Sequence, residues 1–260
     1  MQSSVSIHKK AQIGSNVKIG SFSVIGENVK INDNCMIHSN VVLDGNIEIG
    51  KGVEIFPYAC LGTTPQDLKY DGEKTKVVIG DNCKIREYVT INLGTNGGGG
   101  ITSVGNNCLL MVGTHIAHDC TVDDNVIFAN HSTLAGHVSI EKNVVVGALS
   151  AIHQFVRIGS GAMIGGLAEV SQDVGPNLLV VGRNQACGLN RVGLKRRCIP
   201  KEDVDQLKKL FRALLSKPVN ICEEAKLHLE NSKGEISLLA REFLEFYLSG
   251  TRGFARQTKI

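Results

Sequence analysis

An aliphatic residue returns at every sixth position through most of this 260-residue chain. From Ile13 the run reads IGSNVK, IGSFSV, IGENVK, INDNCM, IHSNVV, LDGNIE, IGKGVE. It resumes at Ile79 with IGDNCK and IREYVT, and again at Val104 through VGNNCL, IAHDCT, VDDNVI, LAGHVS, IEKNVV and IGSGAM. An amphipathic helix spaces its apolar positions by three and four, whereas a strict six with Gly or Asn between reads as short strand, turn, short strand. The pattern therefore predicts a mainly β protein, a parallel β-helix. The first hexad position points inward, and the fifth is small or β-branched, as at Val17, Ser23, Val29 and Cys35. Asn and Gly at the third and fourth positions suit the left-handed backbone of tight corners. With three hexads to a coil, 18 residues return the chain to the same edge, one strand spacing of ~4.8 Å higher.

Two interruptions stand out. The first, 67–78, keeps the step from Leu61 to Ile79 a multiple of six, so it leaves the register intact. The second, around 95–103, makes the step from Ile91 to Val104 equal to 13. Both are expected to be functional loops on a rigid scaffold. The GGGG within the second is not read as a phosphate cradle, because no GK[ST] follows it and no helical pattern adjoins it. The repeat fades after VSQDVG, and 176–193 reads as connecting chain. Helical spacing then takes over in PKEDVDQLKKLFRALLSK, NICEEAKLHLEN and EISLLAREFLEFYL. The expected division is a β-helix over 1–189 and a small C-terminal α-helical domain over 190–260, placed to cap the coil.

Composition changes the picture in a few places. The eight cysteines form no CxxC pair, and Cys83, Cys108 and Cys120 fall on the fifth hexad position. That placement makes them small buried hydrophobes rather than ligands or disulfide partners. No run approaches the ~18 apolar residues of a membrane span, and the N-terminus lacks the regions of a secretory signal, so a cytoplasmic location is expected. The net charge of +3 hides an asymmetry: residues 191–260 carry 15 Lys+Arg against 9 Asp+Glu (+6), and residues 1–190 carry 13 against 16 (−3). The basic end suits an acidic partner; nucleic acid is not expected, since no aromatic stripe accompanies the charge.

The candidate chemistry lies in THIAHDCTV, residues 114–122. Reduced by whole coils, His118, His137 and His153 leave remainders 10, 11 and 9, and His115 leaves 7, which puts all four near one edge, with His131 elsewhere at 5. Polar side chains outside a β-helix are ordinarily just solvated. A stack over three successive coils admits two chemical readings instead: imidazoles gathered on Zn²⁺, or one histidine as a general base with the others binding substrate.

The hexads, QDLKY (Gln66 to Tyr70), HIAHDC, LAGHV, AIHQF and GLNRVGLKRR together resemble the bacterial acyl carrier protein-dependent UDP-N-acetylglucosamine O-acyltransferases that begin lipid A synthesis. The resemblance implies a left-handed coil, against the usual right-handed crossover, and a homotrimer with active sites between subunits. It implies that His118 is the general base, that Asp119 orients it and that the Gly136 N–H is the oxyanion donor, with no metal and no cofactor. It further implies that Asp67 and Lys69 contact the sugar and phosphate and that His137 and Gln154 contact the nucleotide sugar; His115 and His153, near the same edge, are expected to bind substrate with them. Asn190, Arg196 and Arg197 would meet the UDP diphosphate, and Gly166 would leave a deep groove for a long 3-hydroxyacyl chain. Two positions depart from relatives: Asn92-Leu93 replaces a frequent His-Arg, and Val192 replaces a frequent acid. The other functions weighed are N-acyl transfer to a UDP-amino sugar, a metal-dependent carbonic anhydrase of similar repeat, and a non-catalytic β-helical scaffold.

Overall fold

A computed structural model describes residues 4–232 and 236–257. Strands mostly two or three residues long stack into three flat sheets of nine, eight and ten strands. Up to the terminal hairpin, each strand pairs in parallel with the strand one coil away, as Ile91 does with Ile116 and Leu134 with Ile152. Only every third strand is a neighbour, so the chain winds as a triangular prism. Its interior is the aliphatic set of the hexads, from Ile25 through Ile91 and Ile116 to Val170, all essentially without solvent contact. The fifth-position thiols are buried with them, and Cys120 Sγ donates to the Ala135 carbonyl at 3.1 Å.

Corners turn through left-handed residues, and one edge uses Asn or Gly throughout: Asn16, Asn34, Gly52, Asn82, Asn107, Asn125, Asn143, Gly161 and Asn177. These types adopt positive φ at little cost. Apart from Asn40, Gly113 and Asp119, the other two edges carry residues that tolerate it poorly. One holds Phe22, Tyr58, Tyr88, His131, Leu149 and Leu167, and the other holds Asp119, His137 and Phe155. A left-handed residue with a large side chain costs roughly 1–2 kcal/mol, so both edges need a reason beyond folding.

The interruptions begin and end two or three residues earlier than the hexad count implies. Strands Lys76–Ile79 and Ile101–Val104 reclaim the ends of both, because Ile79 pairs with Ile49 below and Val104 above. The loops proper are 64–75 and 93–100, the latter with a short 3-10 turn at Asn96–Gly98. The segment read as connecting chain is ordered structure: strands Leu178–Val181 and Gln185–Leu189 form an antiparallel hairpin that ends the third sheet, followed by helix α1 (Arg191–Arg196). Helices α2 (Lys201–Leu215), α3 (Ile221–Asn231) and α4 (Leu238–Phe246) occupy the three periodic stretches. Glu235, within the third of these stretches, lies outside the described residues. Asn220 and Ser237 cap α3 and α4 by accepting from otherwise unpaired backbone N–H groups. Leu207, Leu214 and Phe243 of these helices are buried, as is Tyr247, which follows α4 and packs against Phe243 and Phe254. Arg157 fastens the helices to the coil: its Nε donates to Asp173 at 2.8 Å, and its guanidinium lies over the Phe246 ring.

Candidate active site

The turn after strand His115–Ile116 carries His118 and Asp119. Asp119 takes a left-handed conformation that drives its side chain inward under loop 93–100, and the residue is only 7% exposed. Its carboxylate is fully engaged: Oδ1 accepts the Thr95 backbone N–H at 2.8 Å, and Oδ2 accepts the Thr95 hydroxyl at 2.6 Å and His118 Nδ1 at 2.8 Å. Burial pushes the Asp119 pKa up, but the Thr95 hydroxyl and N–H and the His118 ring outweigh it, and the carboxyl stays below its ordinary value. An ionised acceptor fixes His118 with its proton on Nδ1 and leaves Nε2 as the free base.

The glycine-rich loop owes its composition to this arrangement. A Cβ at Gly98 would overlap the Asp119 carboxylate itself. Glycine lets the loop lie on the acid and exclude water. On the other side, a Cβ at Gly136 would come within 2.6 Å of His118 Cε1. Gly136 is a buried residue whose N–H has no acceptor among the described residues. It sits one coil above His118, where a developing oxyanion can be met.

The histidines alone do not form the stack: His118 and His153 fall one and two residues short of the 18-residue column that runs through His137. The vertical column is Asp119, His137, Phe155. His137 packs flat on Phe155 with centroids 4.4 Å apart and edge-on to His118 at 5.0 Å, and its Nδ1 is 3.8 Å from Asp119 Oδ2. His153 is exposed and turns away, its Nδ1 3.0 Å from Arg252 Nη2 in the C-terminal segment. His115 lies on the flat face beside the turn, its Nδ1 2.7 Å from the Thr90 hydroxyl. Asp67 and Lys69 meet His137 and Phe155 across a cleft of about 570 Å³ that both loops wall. Gln154 is exposed one coil above Gly136, and Gly166 is open on the surface near Ala148. Asn190, Arg196 and Arg197 are not among the residues lining this cleft. Asn190 caps α1 through Gly193 and donates to the Gly161 carbonyl, Arg197 binds Asn177, and Arg196 is exposed. Thr95, Phe155 and Arg252 escaped the sequence reading; the position of Phe155, one coil above His137, was the only signal available for any of them.

His118, Asp119 and His137 are the one set among the described residues whose donor atoms gather closely enough to surround a cation, within 4.8 Å of one another. The 2.8 Å between His118 Nδ1 and Asp119 is a hydrogen bond; tetrahedral zinc with ~2.0–2.1 Å bonds would spread two ligands to roughly 3.3 Å. The donor set fits proton transfer better than metal binding.

Over 206 residues, 79% of this chain and 78% of the relative, the sequence is 46% identical to the acyl-(acyl-carrier-protein)–UDP-N-acetylglucosamine O-acyltransferase of Aliarcobacter butzleri. The chain belongs to this acyltransferase family. The corresponding enzyme of Nautilia profundicola is 44% identical over 82% of this chain and 81% of its own. The crystal structure of a UDP-N-acetylglucosamine acyltransferase superposes with a TM-score of 0.94 at 42% identity, covering 98% of both chains. The Campylobacter jejuni enzyme gives 0.92 at 39% identity, with the same coverage. Residues 10–45 and 101–136 match the bacterial transferase hexapeptide family, and 173–255 match the second domain of UDP-N-acetylglucosamine O-acyltransferase. The coil is accordingly the left-handed parallel β-helix of these acyltransferases, closed by their helical domain.

Acid is expected to weaken the fold of this acyltransferase through the histidines. Burial pulls His115 below its ordinary value, with His118 adding to the shift, and pulls His137 down despite the charge of Asp119. The unfolded chain then binds protons that the folded chain refuses, so stability falls as pH drops through ~6.5. Asp119, with its own pKa depressed, adds to the loss only below its unfolded value of ~3.8–3.9. Thermal midpoints measured from pH 7.5 to 5 should fall, and His115→Gln should flatten the slope; an unchanged slope in the variant contradicts the assignment.

Proposed function

We propose that this protein transfers a 3-hydroxyacyl chain from acyl carrier protein to the 3-hydroxyl of UDP-N-acetylglucosamine in the cytoplasm, the opening step of lipid A synthesis. The observation that carries the reading is His118, held by an ionised, fully bonded Asp119 beside an unpaired Gly136 N–H. His118 Nε2 takes the proton from the sugar hydroxyl as its oxygen attacks the thioester carbonyl. The oxyanion rests on the Gly136 N–H, the C–S bond breaks, and the imidazolium returns its proton to the leaving thiolate. A thioester has a good leaving group, so base, oxyanion donor and alignment suffice.

In this reading Asp67, Lys69 and His137 hold the sugar in the cleft, with His115, His153 and Gln154 along the same side of the coil. Arg196, exposed on α1, meets the diphosphate, while Asn190 and Arg197 set the turn that presents it. Gly166 leaves room for the acyl chain. Mass spectrometry of products from UDP-N-acetylglucosamine and 3-hydroxyacyl carrier proteins of graded length tests the reading. A 3-O-acylated sugar nucleotide is expected; no acylated sugar, or turnover that needs stoichiometric zinc, overturns it.

The assembly is a homotrimer with sites at its seams. The column Phe22, Tyr58, Tyr88, Leu149 and Leu167 supports it, because these side chains are half exposed or more in the single chain and occupy costly left-handed corners. A second copy of the chain gives that cost a return in buried apolar surface. Leu149→Asp should separate the subunits at micromolar concentration by light scattering while leaving the coil folded, since Asp tolerates positive φ. A variant that stays trimeric refutes this edge as the interface.

A further inference from the structure

Glu73 takes no part in the proton transfer described above, yet it joins the two loops that leave the coil. Its Oε2 accepts the Asp71 backbone N–H at 2.8 Å and its Oε1 accepts that of Asn96 at 3.2 Å. Asn96 follows Thr95, which supplies two of the three hydrogen bonds on the Asp119 carboxylate. A second tie runs from the Lys76 N–H to the Gly100 carbonyl at 2.9 Å. Between these ties the segment contains Gly97, Gly98 and Gly99, and its own bonds, Gly98 and Gly100 to the Thr95 carbonyl, stay inside the loop. Glycines give up much conformational freedom on ordering, so such a loop keeps a fixed shape only when something outside it holds it.

We propose that Glu73 is a positioning residue, a latch that keeps Thr95 on Asp119 and thereby keeps His118 oriented. The loop that carries Glu73 also carries Asp67 and Lys69, so a ligand that orders it sets the base at the same time. The kinetic consequence rests on the acyl-transfer reading; the structural consequence does not. Glu73 also lines the cleft, so the test must separate a latch from a direct ligand contact.

Steady-state kinetics of Glu73→Ala and Glu73→Gln, each alone and combined with Thr95→Ala, make that separation. Expected is a kcat about tenfold lower for Glu73→Ala, with KM for UDP-N-acetylglucosamine within roughly twofold and a smaller loss for Glu73→Gln, which keeps one acceptor. On the Thr95→Ala background, Glu73→Ala should cost less than about twofold more, because the two act in series. A raised KM at unchanged kcat makes Glu73 a ligand contact, and an additive loss places it outside the chain of bonds; either overturns the latch. Amide hydrogen exchange without substrate is the second measurement. Glu73→Ala should speed exchange at Thr95 and Asn96 by roughly tenfold or more while Val122 in the coil stays protected. Unchanged exchange overturns the latch. Faster exchange in a protein that acylates no sugar upholds the latch and refutes the acyl-transfer reading alone.

Discussion

His118→Ala lowers turnover by about 10²–10⁴-fold, the range a positioned general base supplies, while the protein stays folded and assembled. The structural half of this expectation follows from where the ring sits. Its side chain is outside the aliphatic prism, touching the Asp119 carboxylate, the edge of His137 and the space under Gly136. Removing it opens no cavity in the core, so circular dichroism and light scattering should match the parent. The chemical half follows from the places of the neighbouring imidazoles among the described residues: His137 lies edge-on to the ring, and His153 turns to Arg252. Full activity in the variant would sink the assignment. A loss of activity together with loss of the fold would move His118 from chemistry to structure.

Asp119→Asn should cost about as much, near the ~10⁴-fold seen when the acid of a serine protease triad becomes an amide, although it changes few atoms. The carboxylate accepts from Thr95 N, Thr95 Oγ1 and His118 Nδ1 at once. An amide offers a single acceptor oxygen, so one orientation turns its NH₂ toward the Thr95 N–H and the other toward the imidazole. Facing the NH₂, His118 must accept at Nδ1, which moves its proton to Nε2 and removes the base. A second consequence is lost shielding, because a loop that lay on a charge through Gly98 now meets an unsatisfied amide. Single-turnover kinetics with saturating substrates should show the fall in the chemical step and little change in nucleotide affinity. An affinity loss with unchanged chemistry would reassign Asp119 to binding.

The hexads made the prism legible because a period of six admits few structures, and the inward column keeps to it from Ile25 to Val170 on both sides of the two loops. The terminal hairpin was not legible: Leu178–Val181 and Gln185–Leu189 pair antiparallel and abandon the period that made the other strands readable. In the site, His118 and Asp119 could be paired because they are adjacent in sequence. Thr95 could not, since it reaches Asp119 from 24 residues away through a loop whose path no repeat constrains. Coil arithmetic contains the column, since 119, 137 and 155 are 18 apart, but following histidines alone led to His118, one residue short of it. At a corner that one residue decides the role: Asp119 occupies the slot under His137, and His118 lies beside it. Arg252 lies 99 residues from His153, and nothing in the repeat points to a contact made by the tail.

The left-handed corner at Asp119, His137 and Phe155 also has a meaning for protein engineering. These three coils present the same slot with the same backbone, so this stretch of the scaffold behaves as a rack whose positions differ in their contents and not in their shape. Exchanging the acid, the imidazole and the stacking ring among them is then a matter of swapping side chains at fixed addresses. Only the glycine loop, which has a single point of departure from the coil, would have to be rebuilt. The portable part of the catalyst is the corner, and the fixed part is the loop that covers it.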